Sequence, residues 1–246
     1  MSEKVRPSSY REAMEGLKSA QKGNYGAPAY IRWVNRAWGR RLAALASLTS
    51  LTPNMVSGIS AAFTTLGCVL LVVLPIQFTT GLLVAVILAF GFALDSADGQ
   101  LARLTGQGGP GGEWLDHTFD IAKQVMVHSS ILLAWLRFEP EVAWYLALLP
   151  LAFVLVGVVA FFGWIHVEFL RRAAGTQPAP TQKGPVLRSL LRLPSDYGLQ
   201  CWMFVLWGSA LFLPFYALLF AVNALILLLA LPVWFRQATA IGREDG

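Results

Sequence analysis

Six stretches of this chain, 53–74, 80–103, 113–137, 141–170, 196–214 and 215–235, are apolar over lengths that cross the roughly 30 Å hydrocarbon core of a bilayer. A backbone in lipid must satisfy its own hydrogen bonds, so such runs become helices. The pattern predicts an all-α, polytopic membrane protein with six transmembrane helices. Composition points the same way. Of the 246 residues 56% are hydrophobic and 13% charged, against about 25% charged in a soluble domain, which excludes an ordinary soluble globule and a disordered chain. Thr52-Pro53 offers an N-cap followed by proline at the first helical position. Pro75 and Pro214 are expected in short turns. Cys68 and Cys201 lie inside apolar runs, give no disulfide or metal-knuckle spacing, and read as packing residues.

Charge placement orients the spans. Six crossings leave both termini on one side, and that side carries seventeen of the 19 Lys and Arg residues; Arg137 alone lies opposite, with Lys123 inside a span. Positive residues stay in the cytoplasm, so both termini, the 104–112 loop and the 171–195 loop are predicted cytosolic, in the plasma membrane. The N-terminal stretch lacks the apolar core and cleavage site of a signal peptide. Within a cytosolic segment 1–52, Tyr30 to Ser47 (about 30–47) reads as an amphipathic helix with an apolar stripe of Ile31, Val34, Trp38, Leu42 and Leu45. It is expected either in the interface of an anionic bilayer or packed on the protein's own cytosolic face, and the two are compatible. Residues 53–235 then form the catalytic membrane domain, 173–185 a linker and 236–246 a cytosolic tail. The basic charge suits membrane lipids, and no nucleic acid is expected as partner.

The chemistry is concentrated in 26 residues, where Asp95, Asp98, Glu113, Asp116 and Asp120 account for five of the chain's 14 acids. A charge in the membrane is costly unless it faces a cavity and has partners. Asp95, Asp98, Gly99 and Ala102 share one face of the second span; Gly112, Asp116 and Asp120 share one face of the third. The glycine-rich 104–112 connection is short enough to make these spans antiparallel neighbours, so four carboxylates converge on one pocket. Two divalent cations would balance them. Hard oxygen donors favour Mg²⁺ or Mn²⁺ over zinc. Gly99, Ala102 and Gly112 leave room beside the acids for a large, diphosphate-bearing substrate. The bland alternative is an ion-pair cluster in which Arg103 and Lys123 stitch the helices together, but two cations do not neutralise five acids.

The run Asp95-x-x-Asp98-Gly99-x-x-Ala102-Arg103, then Gly112-x-x-x-Asp116-x-x-x-Asp120, resembles the signature of the CDP-alcohol phosphotransferase family. The resemblance implies transfer of a substituted phosphate from a CDP-alcohol to an acceptor hydroxyl with release of CMP, in phospholipid synthesis by a homodimer. It makes Asp95, Asp98 and Asp116 metal ligands, and Asp120 both a ligand and a candidate base. Gly99, Ala102 and Gly112 would line the cytidine pocket, and Arg103 would bind a phosphate or anchor its helix. The wording Gly112-Glu113-Trp114-Leu115-Asp116-His117 looks like the choline/ethanolamine phosphotransferase branch, whose donor carries a small polar head group and whose acceptor is a lipid alcohol. There Glu113 would orient His117 as a base; the alternative is a surface histidine paired with an acid. The competing branch takes CDP-diacylglycerol and a polar phosphorylated acceptor, such as glycerol or inositol phosphate. Lys123 with Arg171 or Arg172 could supply its anion socket, or Lys123 could neutralise a carboxylate and the arginines mark the membrane boundary. A cation transporter is a remote alternative, since the acids cluster at one end of the spans. His128 and His166 read as core or boundary residues, and Trp135, Trp144 and Trp234 as an interfacial belt.

Overall fold

The computed structural model describes residues 6–19, 26–139, 141, 143–176 and 185–244, side chains to 241. Among these every regular element is helical. Helix α1 (Tyr10–Ser19) precedes a π-helical turn (Ile31–Asn35) that runs into α2 (Arg36–Ser47). The long helices follow as α3 (Pro53–Val73), α4 (Phe78–Thr105), α5 (Pro110–Phe138) and α6 (Trp144–Ala173), then short α7 (Val186–Leu191) and α8 (Tyr197–Trp202), and finally α9 (Phe212–Glu244).

Among the described residues α3, α4, α6 and α9 are long and apolar enough to cross a membrane. Helix α5, with 29 residues, is long enough, but its first four turns carry Glu113, Asp116, Asp120 and Lys123. The start of α3 is the one the sequence indicates: Thr52 Oγ1 accepts from Met55 N at 3.3 Å, and Pro53 opens the helix. Pro75 sits in the turn between α3 and α4. Small residues let those two helices approach: a Cβ on Gly67 would fall 2.8 Å from Leu88, and one on Gly91 would fall 3.2 Å from the Ser60 carbonyl.

The fifth predicted span, 196–214, is not one long helix. Tyr197–Leu206 is a ten-residue apolar helical segment, about 15 to 20 Å long at 1.5–2.0 Å per residue. Its beginning lies against the middle of α4, where Tyr197 and Phe92 meet edge to face at 5.0 Å. Its end lies at the first residues of α4: Gly208, at φ +79°, abuts the backbone of Gln77. The segment therefore runs down α4 against its direction and covers about half a bilayer, while Gly208 breaks it. Helix α9 then starts at Phe212, so Pro214 occupies its first turn and not a connecting loop. Helices α6 and α9 run side by side, with Phe153 beside Tyr216 and Phe220 at one level and Gly163 beneath the Trp234 ring at another. Most of their surface is left uncovered by protein.

One core cluster fills the middle of the bundle, built on Leu71, Leu88, Ile131, Phe153, Phe204, Trp207 and Tyr216. It includes Trp135, so of the three tryptophans expected in a belt that one is interior, whereas Trp144 is exposed. His128 is buried there, its Nδ1 2.8 Å from the Tyr216 hydroxyl; His166 is exposed and stacks on Phe162. Cys68 and Cys201 are buried free thiols. A second cluster joins Ala13 and Leu17 of α1, Ala43 and Ala44 of α2, Val56 of α3 and Ala97 and Leu101 of α4.

Helix α2 lies within the 30–47 stretch and packs one face on the protein. Gly39, Ala43 and Ala46 are buried on the side packed against α4, while Val34, Trp38 and Leu45 of the apolar stripe stay exposed. Helix α1 is an addition to the sequence reading. Glu12 Oε2 accepts from Ser8 N at 2.7 Å and Ser8 Oγ at 2.8 Å, which stabilises its first turn and draws the Glu12 carboxyl below its ordinary range. Part of the predicted linker, 177–184, lies outside the described residues, as do 1–5 and 20–25.

Candidate active site

Gly106, in the left-handed region at φ +71°, ends α4. Gly109 and Pro110 then open α5, leaving a connection of four residues. The two helices are joined antiparallel neighbours, as the sequence reading expects, and Lys123 of α5 bonds Asp95 of α4 across the space between them. Each packs its backbone closely on α3. The space this leaves between them is where the acids converge.

One carboxylate oxygen each from Asp95, Asp98 and Asp116 lie within 4.8 Å of one another, and so do donor atoms of Asp116, His117 and Asp120. Asp116 belongs to both groups, so the two candidate metal sites are interlocked. Their donors are mostly hard oxygens, which fit a pair of small divalent cations; a zinc site would need a cysteine or histidine set that is absent among the described residues. Asp98 is buried and its Oδ2 accepts from Ser57 Oγ of α3, a hydroxyl that fixes the orientation of a ligand carboxylate. Lys123, also buried, donates to Asp95 and, at 3.1 Å, to Asp120. The ion-pair cluster of the bland alternative is therefore present in part: Lys123 pairs with Asp95 and Asp120, and Arg103 stands beside Asp98 and Asp116, which also line the open space.

That space is a cavity of about 150 Å³ lined by Arg36, Asp95, Ser96, Asp98, Gly99, Gln100, Arg103 and Asp116. Gly99 is in the wall, and a Cβ there would fall 3.4 Å from the Arg103 guanidinium. Ala102 stands near Gly108 of the connection, and a Cβ on Gly112 would fall 3.3 Å from Asn54 Oδ1 of α3. Of the three small residues, the cavity wall includes Gly99, while Ala102 borders the connection and Gly112 borders α3.

His117 points from α5 toward α6, ringed by Phe161, Trp164 and Phe169 at centroid distances of 5.8–6.4 Å. Neither ring nitrogen has a hydrogen-bond partner among the described residues. Glu113 Oε1 is 3.7 Å from His117 Nε2 and is paired with Arg172 of α6. Arg171 turns the other way, donating to Gln237 Oε1 of α9 at 2.8 Å, and the cavity wall does not include it.

A family model for CDP-alcohol phosphatidyltransferase matches residues 50–236. The chain belongs to this family. No curated protein matches it. As a CDP-alcohol phosphatidyltransferase it is a transferase of phospholipid synthesis, acting on a CDP-alcohol and an alcohol acceptor in the membrane, and its long apolar helices make it an integral membrane protein. The match begins just before α3 and ends within α9, so it takes in the acid cluster but not Arg36. Arg36, Ser57, Ser96, Gln100 and Asn54 are site neighbours that sequence reasoning missed. Ser96 and Gln100 had a signal, since they sit on α4 between and just beyond the signature aspartates. Arg36 had a weaker one, as a member of a basic row assigned to lipid.

Proposed function

We propose that Asp95, Asp98 and Asp116 hold one divalent cation and Asp116 with Asp120 a second, Mg²⁺ or Mn²⁺, and that the donor is a CDP-linked small polar alcohol and the acceptor a lipid alcohol. The interlocking of the two donor groups at Asp116, beside a cavity walled by Gly99, is the observation that carries the metal-dependent transfer. When bound, the metal pair neutralises charge on the diphosphate oxygens.

The chain's own groups do the rest. The acceptor oxygen attacks the phosphorus bearing the donor's alcohol, the bond from that phosphorus to CMP breaks, and CMP departs. The hydroxyl proton passes to His117 or Asp120, which lie together at the acceptor side. Lys123 holds Asp95 and Asp120 in fixed orientations. The acceptor hydroxyl must lose its proton, and His117 offers two nitrogens free of hydrogen bonds among the described residues. The aromatic side chains of α6 around it suit a lipid acceptor entering from the bilayer. A CDP-diacylglycerol donor with a phosphorylated polar acceptor is the second reading, favoured by the two arginines in the cavity wall. The site faces the cytosol in either case.

The deciding experiment supplies purified enzyme and Mg²⁺ with labelled CDP-choline or CDP-ethanolamine plus diacylglycerol and, separately, labelled CDP-diacylglycerol plus glycerol phosphate or inositol phosphate. Consumption of the first donor supports the preferred reading, and consumption of the second replaces it. Asp116→Asn should abolish CMP release from whichever donor is used; full turnover by that variant would remove the metal roles assigned above.

A further inference from the structure

Two arginines line the cavity, Arg36 and Arg103, and the second belongs to the signature. Arg103 stands one turn beyond Gly99 on α4, under the Coulomb attraction of Asp98 and Asp116. Arg36 comes from outside the catalytic bundle, at the first residue of α2. We propose that Arg36 is a substrate-binding residue, forming with Arg103 a guanidinium pair that grips a substrate phosphate, either the donor diphosphate or the phosphate of a phosphorylated acceptor. This rests on the reading that a CDP-alcohol occupies the cavity.

Three observations place Arg36 there as part of a built site. Its backbone is fixed to the catalytic helix: Gln100 Nε2 donates to the Arg36 carbonyl at 3.2 Å, and Gly39 sits so close to α4 that a Cβ would fall 2.7 Å from Ser96. The helix start is anchored as well. The buried Asp196 accepts from Ile31 N through one oxygen and from Gly198 N through the other, both at 3.0 Å. Between that anchor and Arg36 lies the π-helical turn Ile31–Asn35. An extra residue in one turn rotates everything after it, and such turns are retained where a side chain must be aimed.

Burial first, and then the like-charged neighbours Arg103 and Arg32, hold Arg36 below the ordinary arginine range. Arg32 is drawn aside to Ser189 Oγ at 3.1 Å, which leaves Arg36 and Arg103 as the cations of the wall. The carboxylates beside Arg103, Asp98 and Asp116, are the ones assigned to metal above. Guanidinium forks match phosphate oxygens through paired N–H donors, which a lysine does not reproduce.

The test is binding, measured by calorimetry on the purified full-length chain with Mg²⁺, using CDP and glycerol phosphate as probes. Arg36→Ala should weaken CDP, glycerol phosphate or both about ten- to a hundredfold, the loss for one charge-assisted contact. Arg36→Lys should fall between it and wild type, and Arg41→Ala, an exposed neighbour on α2, should bind like wild type. A loss confined to CDP assigns the pair to the donor diphosphate; a loss confined to glycerol phosphate assigns it to the acceptor. Unchanged affinity for both probes in Arg36→Ala, at an unchanged melting temperature, overturns the proposal. Should the alanine chain misfold, Arg36→Lys decides by the same measurement, wild-type affinity counting against. Failure of the wild-type chain to bind CDP at all would instead overturn the reading on which this one rests.

Discussion

At the scale of single residues, the site divides into what spacing reveals and what only folding assembles. Asp95 and Asp98 are three apart and Asp116 and Asp120 four apart, so helical geometry puts each pair on one face before any tertiary contact is known. Ser57 and Asn54 are contributed by a helix that starts about forty residues earlier, and nothing in their local sequence separates them from other polar residues at a span's end. Ser57 makes a testable difference. Its hydroxyl donates to buried Asp98, and removing such a partner of a metal-ligating carboxylate costs about ten- to a hundredfold in metal affinity. Ser57→Ala should therefore weaken Mn²⁺ binding by that factor in an electron paramagnetic resonance titration, while Ser57→Thr keeps it. Equal Mn²⁺ affinity in wild type and Ser57→Ala would show that the contact does not position the ligand. Arg171 shows the converse limit: its place at the end of a span suggested the cavity, and its actual partner Gln237 lies on a helix that hydropathy alone cannot position beside it.

At the scale of elements, the apolar runs located α3, α4, α5 and α6 to within a few residues, because a bilayer demands length and a helix supplies 1.5 Å per residue. The same argument failed over 196–214, since a fully apolar run is compatible both with a complete span and with a shorter segment that lies along another helix. What distinguishes them is close packing. Gly81 of α4 permits the approach: a Cβ there would collide with the backbone oxygen of Phe204 and with Trp207 Cβ. Backbone does not yield as a flexible side chain does, so Gly81→Ala should destabilise the fold by about 1–3 kcal/mol or more through overpacking. Gly58 of α3 has open space at its Cβ position, and Gly58→Ala should be neutral or slightly stabilising, by up to about 1 kcal/mol of helix propensity. Thermal unfolding in detergent checks both. Equal melting temperatures for the two variants would mean that the 197–206 segment does not depend on this contact.

At the scale of the whole molecule, direction of travel fixes which face holds the chemistry. Helix α4 runs toward the acid cluster and α5 away from it, α6 returns, the 197–206 segment descends along α4 to Gln77, and α9 comes back beside α6. The connection 106–109 and both described ends of the chain therefore share one face, and Glu139, Glu141 and Gly208 lie on the other. Among the described residues Arg137 is the basic residue beside Glu139, and by charge bias the orientation proposed above puts the acid cluster on the cytosolic side. Both native cysteines are buried, so a membrane-impermeant maleimide has little background, and single introduced cysteines report sidedness directly. In intact cells Glu141→Cys should label at once, and Gly108→Cys only after the membrane is opened. The reverse pattern would turn the enzyme over and put its CDP-alcohol site outside the cell, away from the nucleotide supply. Labelling of both positions in intact cells would instead overturn the expectation that α5, at 29 residues and about 44 Å, crosses the bilayer, since a crossing helix puts the α4–α5 and α5–α6 loops on opposite sides.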